Sequence, residues 1–144
     1  MKSKFSSVVK VKKQELDKAE LELSKARARQ RQNEETLMLA EAEYLSLVMP
    51  KEGNAMLLRQ SLNYKAVAKQ MKDLAQEKLR LSHQEINHYQ HLYKKAHLNY
   101  EKLKYLEVEE LKELEKKLKK EEEKALDEIA TSKYFRERKR NEKA

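Results

Sequence analysis

Met49-Pro50-Lys51-Glu52-Gly53-Asn54 contains the only proline and the only glycine of the 144-residue chain. Proline has no amide hydrogen to donate, and its ring collides with the preceding helical turn. Glycine reaches, at little steric cost, the backbone angles that a helix end requires. On both sides of this break the sequence is dominated by Ala, Leu, Glu, Lys, Gln and Arg, which form helix readily. The stretch therefore reads as the one turn of an all-α chain. A helix is expected over residues 4–48, the turn over 49–54, a middle helical segment over 55–82 and a long C-terminal helix over 83–138, within a single coiled-coil domain, 1–144.

The first arm carries a regular stripe. Phe5, Val9, Lys12, Leu16, Ala19, Leu23, Ala26, Gln30, Asn33, Leu37, Ala40, Tyr44 and Leu47 alternate spacings of four and three. That period of 3.5 belongs to a left-handed supercoil, and the polar members, Lys12, Gln30 and Asn33, weaken the seam while fixing its register. A second stripe runs through Ile86, Tyr89, Tyr93, Ala96, Tyr100 and Leu103. It then shifts phase near Glu107 and resumes through Leu111, Leu114, Leu118, Glu121, Ala125 and Ile129.

Pairing the two stripes antiparallel so that apolar positions match gives layers such as Leu16 with Leu118, Leu23 with Leu111, Val9 with Ala125, Tyr44 with Tyr89 and Leu47 with Ile86, with Lys12 meeting Glu122. The expected fold is thus a long antiparallel two-stranded coiled coil, a helical hairpin, with Val9, Leu16, Leu23, Leu111, Leu118 and Ala125 on its seam. In this register residues 55–82 are extra helix at the turn end, with a bend near Ser61-Leu62-Asn63-Tyr64. A hairpin closing directly at Pro50 would instead set Leu23 against Arg80 and Leu16 against Asn87.

Composition excludes several function classes. Charged residues make up 40% of the chain and cysteine is absent, so no thiol nucleophile, disulfide or cysteine metal site exists. No run approaches the roughly 18 apolar residues of a membrane span. No phosphate-binding glycine loop, H-E-x-x-H or G-x-S-x-G is present. The carboxylates alternate with lysines, as in Glu113-Leu114-Glu115-Lys116-Lys117, which is the pattern of a solvated helix face. His83, His88, His91 and His97 cluster without a third ligand for His88 and His91, and read as seam and surface residues. The chain is read as a non-enzyme without catalytic residue, metal, cofactor or small-molecule substrate, which works by binding proteins.

Two surfaces stand out. Tyr44, Leu45, Leu47, Val48, Met49, Met56, Leu57 and Leu58 crowd the break, an apolar, methionine-bearing patch suited to docking. The net charge of +8 is unevenly spread: the turn region, residues 33–58, is acidic, both termini are basic, and residues 133–144 hold 6 basic and 2 acidic groups. Side by side, the ends would form a basic, aromatic tip of Lys2, Lys4, Phe5, Tyr134, Phe135, Arg136, Arg138 and Arg140, suited to an acidic protein surface.

Length, the basic start with Phe5, one heptad helix, a breaker and a longer second arm resemble the FliJ family of the bacterial flagellar type III export apparatus. The most telling stretch is Lys124-Ala125-Leu126-Asp127-Glu128-Ile129-Ala130, followed by Arg136-Glu137-Arg138-Lys139-Arg140. The stalk proteins of virulence type III secretion are near neighbours. The resemblance implies an antiparallel coiled coil similar to a rotary ATPase gamma subunit. It implies a stalk and coupling factor whose basic tip enters the hexameric export ATPase, whose turn end contacts the membrane export gate, and which also binds export chaperones. The gate motif of that family falls here on Asn33, Leu37, Ala40 and Tyr44, next to Leu47. The implied location is the cytoplasm, at the membrane periphery through the apparatus. The alternatives are a nucleic-acid-binding coiled coil, disfavoured because Glu15, Asp17, Glu20 and Glu22 interleave with the basic residues and repel phosphate, and a generic scaffolding coiled coil.

Overall fold

A computed structural model describes residues 2–142. The fold is all-α: α1 spans Ser6–Ser46 and α2 spans Ala55–Glu142. The two helices pack against each other as a helical hairpin. The chain divides into two units, one of Lys13–Leu98 and one of Met1–Lys12 with Asn99–Ala144.

Each helix start is capped. Asn54 Oδ1 accepts from the Leu57 amide at 2.8 Å, which satisfies one of the donors that the first turn of α2 leaves open. Gly53 just before it has φ 139°, and a Cβ there would meet Leu57 Cδ2 at 2.7 Å, so this position requires glycine. At α1 the Phe5 amide donates to Ser3 Oγ at 3.0 Å, and Ser3 Oγ donates to Glu110 Oε2 at 2.7 Å. The first turn of α1 has no acidic residue of its own. Glu110 from α2 therefore brings the negative charge that a helix N-terminus favours.

Every position of the α1 stripe from Phe5 to Leu47 is buried or half-buried, with Val9, Leu16, Leu23 and Ala26 the most enclosed. The facing stripe of α2 runs unbroken at alternating four and three from Ser61 through Lys65, Ala68, Lys72, Ala75, Leu79, Ser82, Ile86 and Tyr89, and on through Tyr93, Ala96, Tyr100, Leu103, Glu107 and Glu110 to Leu114. The expected phase shift near Glu107 does not occur, because Glu107 and Glu110 themselves hold seam positions.

The register differs from the expected one. In the Lys13–Leu98 unit, Leu23, Ala26 and Ile86 form the buried cluster with Tyr89 and Tyr93 packed on it. Gln30 meets His83 Nδ1 at 2.7 Å, and Arg29 pairs with Glu85. Leu23 is therefore not layered with Leu111, nor Leu16 with Leu118, nor Tyr44 with Tyr89. Specific pairs across the seam fix the layers. The observed register packs Ala26 with Leu23 and Ile86, with Tyr89 and Tyr93 against them, and gives the polar seam residues Gln30 and Asn33 polar partners, His83 and Ser82. It also brings Leu16 level with Ala96, Leu37 with Ala75 and Tyr44 with Ala68. The expected leucine-on-leucine register would leave the polar seam residues Gln30 and Asn33 without those partners. It also requires the chain to reverse within residues 55–82, where no breaker exists, and α2 runs through Ser61–Tyr64 without a bend. Direct closure at Pro50 fails for a different reason. Residues 47–54 are non-helical, with bends at 51–53, and non-helical chain advances further per residue than the roughly 1.5 Å of a helix. α2 therefore starts beyond the end of α1, and residues 55–60 are all exposed.

Candidate partner-binding surfaces

In the unit of Met1–Lys12 with Asn99–Ala144, α2 continues past its seam. Residues 115–142 are exposed throughout. Leu118 and Ala125, expected on the seam, have no α1 residue opposite them, while Leu111 is half-buried. The contact of Ser3 with Glu110 sets the level of the N-terminal residues. Lys2, Lys4 and Phe5 lie beside that part of α2. Tyr134, Phe135, Arg136, Arg138 and Arg140 lie 24 to 30 residues further on, roughly 36–45 Å along the helix. The two halves of the expected basic tip are not brought together, since Ser3 meets Glu110 and the end of α2 beyond it is exposed. Lys12 and Glu122 are separated for the same reason.

The basic C-terminal segment stands as a single exposed helix. Its Tyr134 and Phe135 rings are edge to face, with centroids 6.1 Å apart. Lys139 and Arg140 occupy its last turn, where cations favour the helix dipole. Arg138 and Glu142 approach to 3.9 Å, an exposed pair of small energetic weight.

In the Lys13–Leu98 unit, Asn33, Leu37, Ala40, Tyr44 and Leu47 share one face of the chain, and that face is the intramolecular seam, where all five are half-buried. The Asn33 amide donates to Ser82 Oγ. Lys72 Nζ sits 4.5 Å and Lys65 Nζ 5.3 Å from the Tyr44 ring centroid, close enough for cation–π attraction. Beside this face, Met38, Leu39, Leu45 and Val48 are more than two-thirds exposed.

One surface was not foreseen from the sequence. Leu57, Tyr64, Val67, Met71, Leu74 and Leu81 of α2 recur at heptad spacing and are all exposed, forming a second apolar stripe beside the seam. Tyr64 and Met71 hold the same heptad position as Glu85, so the stripe borders the side on which Arg29 meets Glu85. Its signal was present in the sequence. These residues are more apolar than the adjacent seam residues Lys65, Ala68, Lys72 and Ala75, and the heptad spacing alone does not say which stripe faces inward.

Side-chain hydrogen bonds shift the pKa values of Arg29, Glu77 and Arg80, the last raised by its bond to Glu77. The Arg29 guanidinium is raised by its bond to Glu85, and Glu77 is lowered by its bond to Arg80. His83 is engaged by Gln30, and His88 packs edge-on to Tyr89 with centroids 5.4 Å apart. Among the described residues no group of three or more His, Cys, Asp or Glu could hold a metal ion, and no helix is long and apolar enough to cross a membrane.

No curated protein and no solved structure matches the chain. The helical hairpin, its heptad seam and its basic C-terminal helix are accompanied by a match of residues 1–139 to the family model described as Flagellar FliJ protein. The chain therefore belongs to the FliJ family, components of flagellar type III protein export.

Proposed function

We propose that this chain is the coupling factor of the flagellar export apparatus. Its C-terminal helix engages the hexameric export ATPase, and the neighbourhood of its turn engages the membrane export gate. The observation that carries this reading is the unpaired segment 115–142. A lone helix is only 10–12 Å across, slim enough to enter the opening of a ring. Its basic, aromatic end offers charge-assisted contacts and rigid ring surfaces to an acidic lining. Tyr134, Phe135, Arg136, Arg138 and Arg140 make this contact, and Lys2, Lys4 and Phe5 add a secondary one further back along α2.

The gate contact centres on Asn33, Leu37, Ala40, Tyr44 and Leu47. Because these residues line the seam, the gate reads their solvent-facing edges. Export chaperones are further partners, and the protein works in the cytoplasm at the membrane periphery, where the apparatus holds it.

The test is binding of the full chain to the hexameric export ATPase. The triple variant Arg136→Glu, Arg138→Glu, Arg140→Glu is expected to bind about tenfold more weakly or worse, a loss of about 1.4 kcal/mol or more. Its helical circular dichroism should be unchanged. Wild-type affinity in that variant removes the C-terminal helix from the ATPase contact.

A further inference from the structure

The seam changes character toward the turn. Within the Lys13–Leu98 unit its middle encloses large apolar groups: Leu16, Leu23 and Ile86 are each less than a tenth exposed, and Ala26 is fully buried. From Asn33 to Leu47 every α1 seam residue is only half-buried. The enclosed residues opposite them are Ala68, Ala75 and Ser82, whose side chains carry little apolar surface. The directional contacts across this stretch are polar. The Asn33 amide donates to Ser82 Oγ, and the Lys65 and Lys72 ammonium groups stand over the Tyr44 ring. Both lysines hold seam positions, and among the described residues neither makes an ion pair. Arg29 with Glu85, an ion pair that joins the two helices, belongs to the middle of the seam.

We infer that the hairpin opens as a fork at its turn end. The α1 stretch from Leu37 to Ser46 swings away from the α2 stretch from Ala55 to Leu79, while the middle of the seam stays packed. The Asn33–Ser82 pair marks the vertex, and Tyr44 with Lys65 and Lys72 is the catch. Local opening follows the distribution of buried apolar contacts and starts where they are fewest. It breaks no backbone hydrogen bond, because each helix satisfies its own. It returns two seam ammonium groups to water, and their hydration offsets the lost cation–π attraction. The non-helical residues 47–54 absorb the change of angle without bending either helix. Closed, the hairpin shows a partner only the edges of Leu37, Ala40, Tyr44 and Leu47; open, it presents their inner faces. The opening is a property of the free chain and stands or falls apart from the ATPase and gate contacts.

Distances between paired spin labels on the full chain test this, since the chain has no cysteine of its own to label. Glu43→Cys with Met71→Cys and Glu22→Cys with Leu92→Cys take the same place across the seam as Arg29 with Glu85, two heptads nearer the turn and one heptad further from it. Double electron–electron resonance should return one narrow distance for the 22–92 pair. For the 43–71 pair it should return a similar distance together with a second, longer population. Lys65→Leu with Lys72→Leu makes the seam apolar there and should remove the longer population, whereas Tyr44→Ala should enlarge it. Helicity by circular dichroism should be kept in every variant. A 43–71 distribution as narrow as that of 22–92 overturns the inference. So does equal breadth in both pairs, which is fraying of the whole hairpin, or a longer population that either substitution leaves unchanged.

Discussion

Leu23→Ala and Leu118→Ala delete the same three carbons from two heptad leucines, yet they should differ widely in cost. Leu23 is 6% exposed in the cluster with Ala26 and Ile86, whereas Leu118 is 43% exposed with nothing from α1 opposite it. Truncating Leu23 returns roughly 65 Å² of apolar burial, about 1.6 kcal/mol at 25 cal/mol per Å². A cavity cost adds to this, limited because a two-helix seam can partly collapse, and the total is about 2–3 kcal/mol. For a cooperative unit of this size each kcal/mol moves the melting midpoint by about 5 °C, so Leu23→Ala should melt roughly 10–15 °C lower. Leu118→Ala should stay within about 0.5 kcal/mol of wild type, since it empties no packed site and alanine favours helix slightly more. Thermal melts followed at 222 nm, checked against urea titrations, read both values. A Leu118→Ala loss as large as that of Leu23→Ala would place Leu118 in a packed seam and refute the register in which Ala26 meets Ile86.

Two further outcomes are expected. Asn54→Ala removes the oxygen that caps the Leu57 amide and should lower stability by about 1 kcal/mol in urea titration. Glu77 accepts a hydrogen bond from Arg80 that holds its carboxyl below the ordinary glutamate value. Its folded pKa is depressed, so its contribution is complete above the unfolded value and is lost as pH falls through the lowered folded value. The pair is exposed and the energetic effect small, but an NMR titration of the Glu77 side chain should show it, and Arg80→Ala should return the midpoint to the ordinary value.

How much of this was legible in the sequence depended on which residues occupy each seam. In α1 the seam holds Val9, Leu16, Leu23 and Leu37, the larger apolar groups, so spacing alone located it. In α2 the seam between Ser61 and Ser82 is built from Ser, Lys, Ala and a single leucine, Leu79, while Tyr64, Val67, Met71 and Leu74 stand beside it in the same repeat. Apolar periodicity therefore pointed to the later leucines, and matching large with large gave the wrong layers. What decides the register is the set of specific pairs, Ala26 with Ile86, Arg29 with Glu85, Gln30 with His83 and Asn33 with Ser82. These depend on both strands at once and leave no mark in either stripe read alone. The basic C-terminal residues were recognisable by charge, but their separation from Lys2, Lys4 and Phe5 follows from the register and was lost with it.

The absence of cysteine from the chain makes the register directly measurable by disulfide trapping. Ala26→Cys with Ile86→Cys should close an intramolecular bond on mild oxidation, seen as a mobility shift on non-reducing gels, while Leu16→Cys with Leu118→Cys should stay open. Efficient closure of the 16–118 pair, with the 26–86 pair left open, would contradict the packing of α1 on α2 from which every surface assigned to this chain derives.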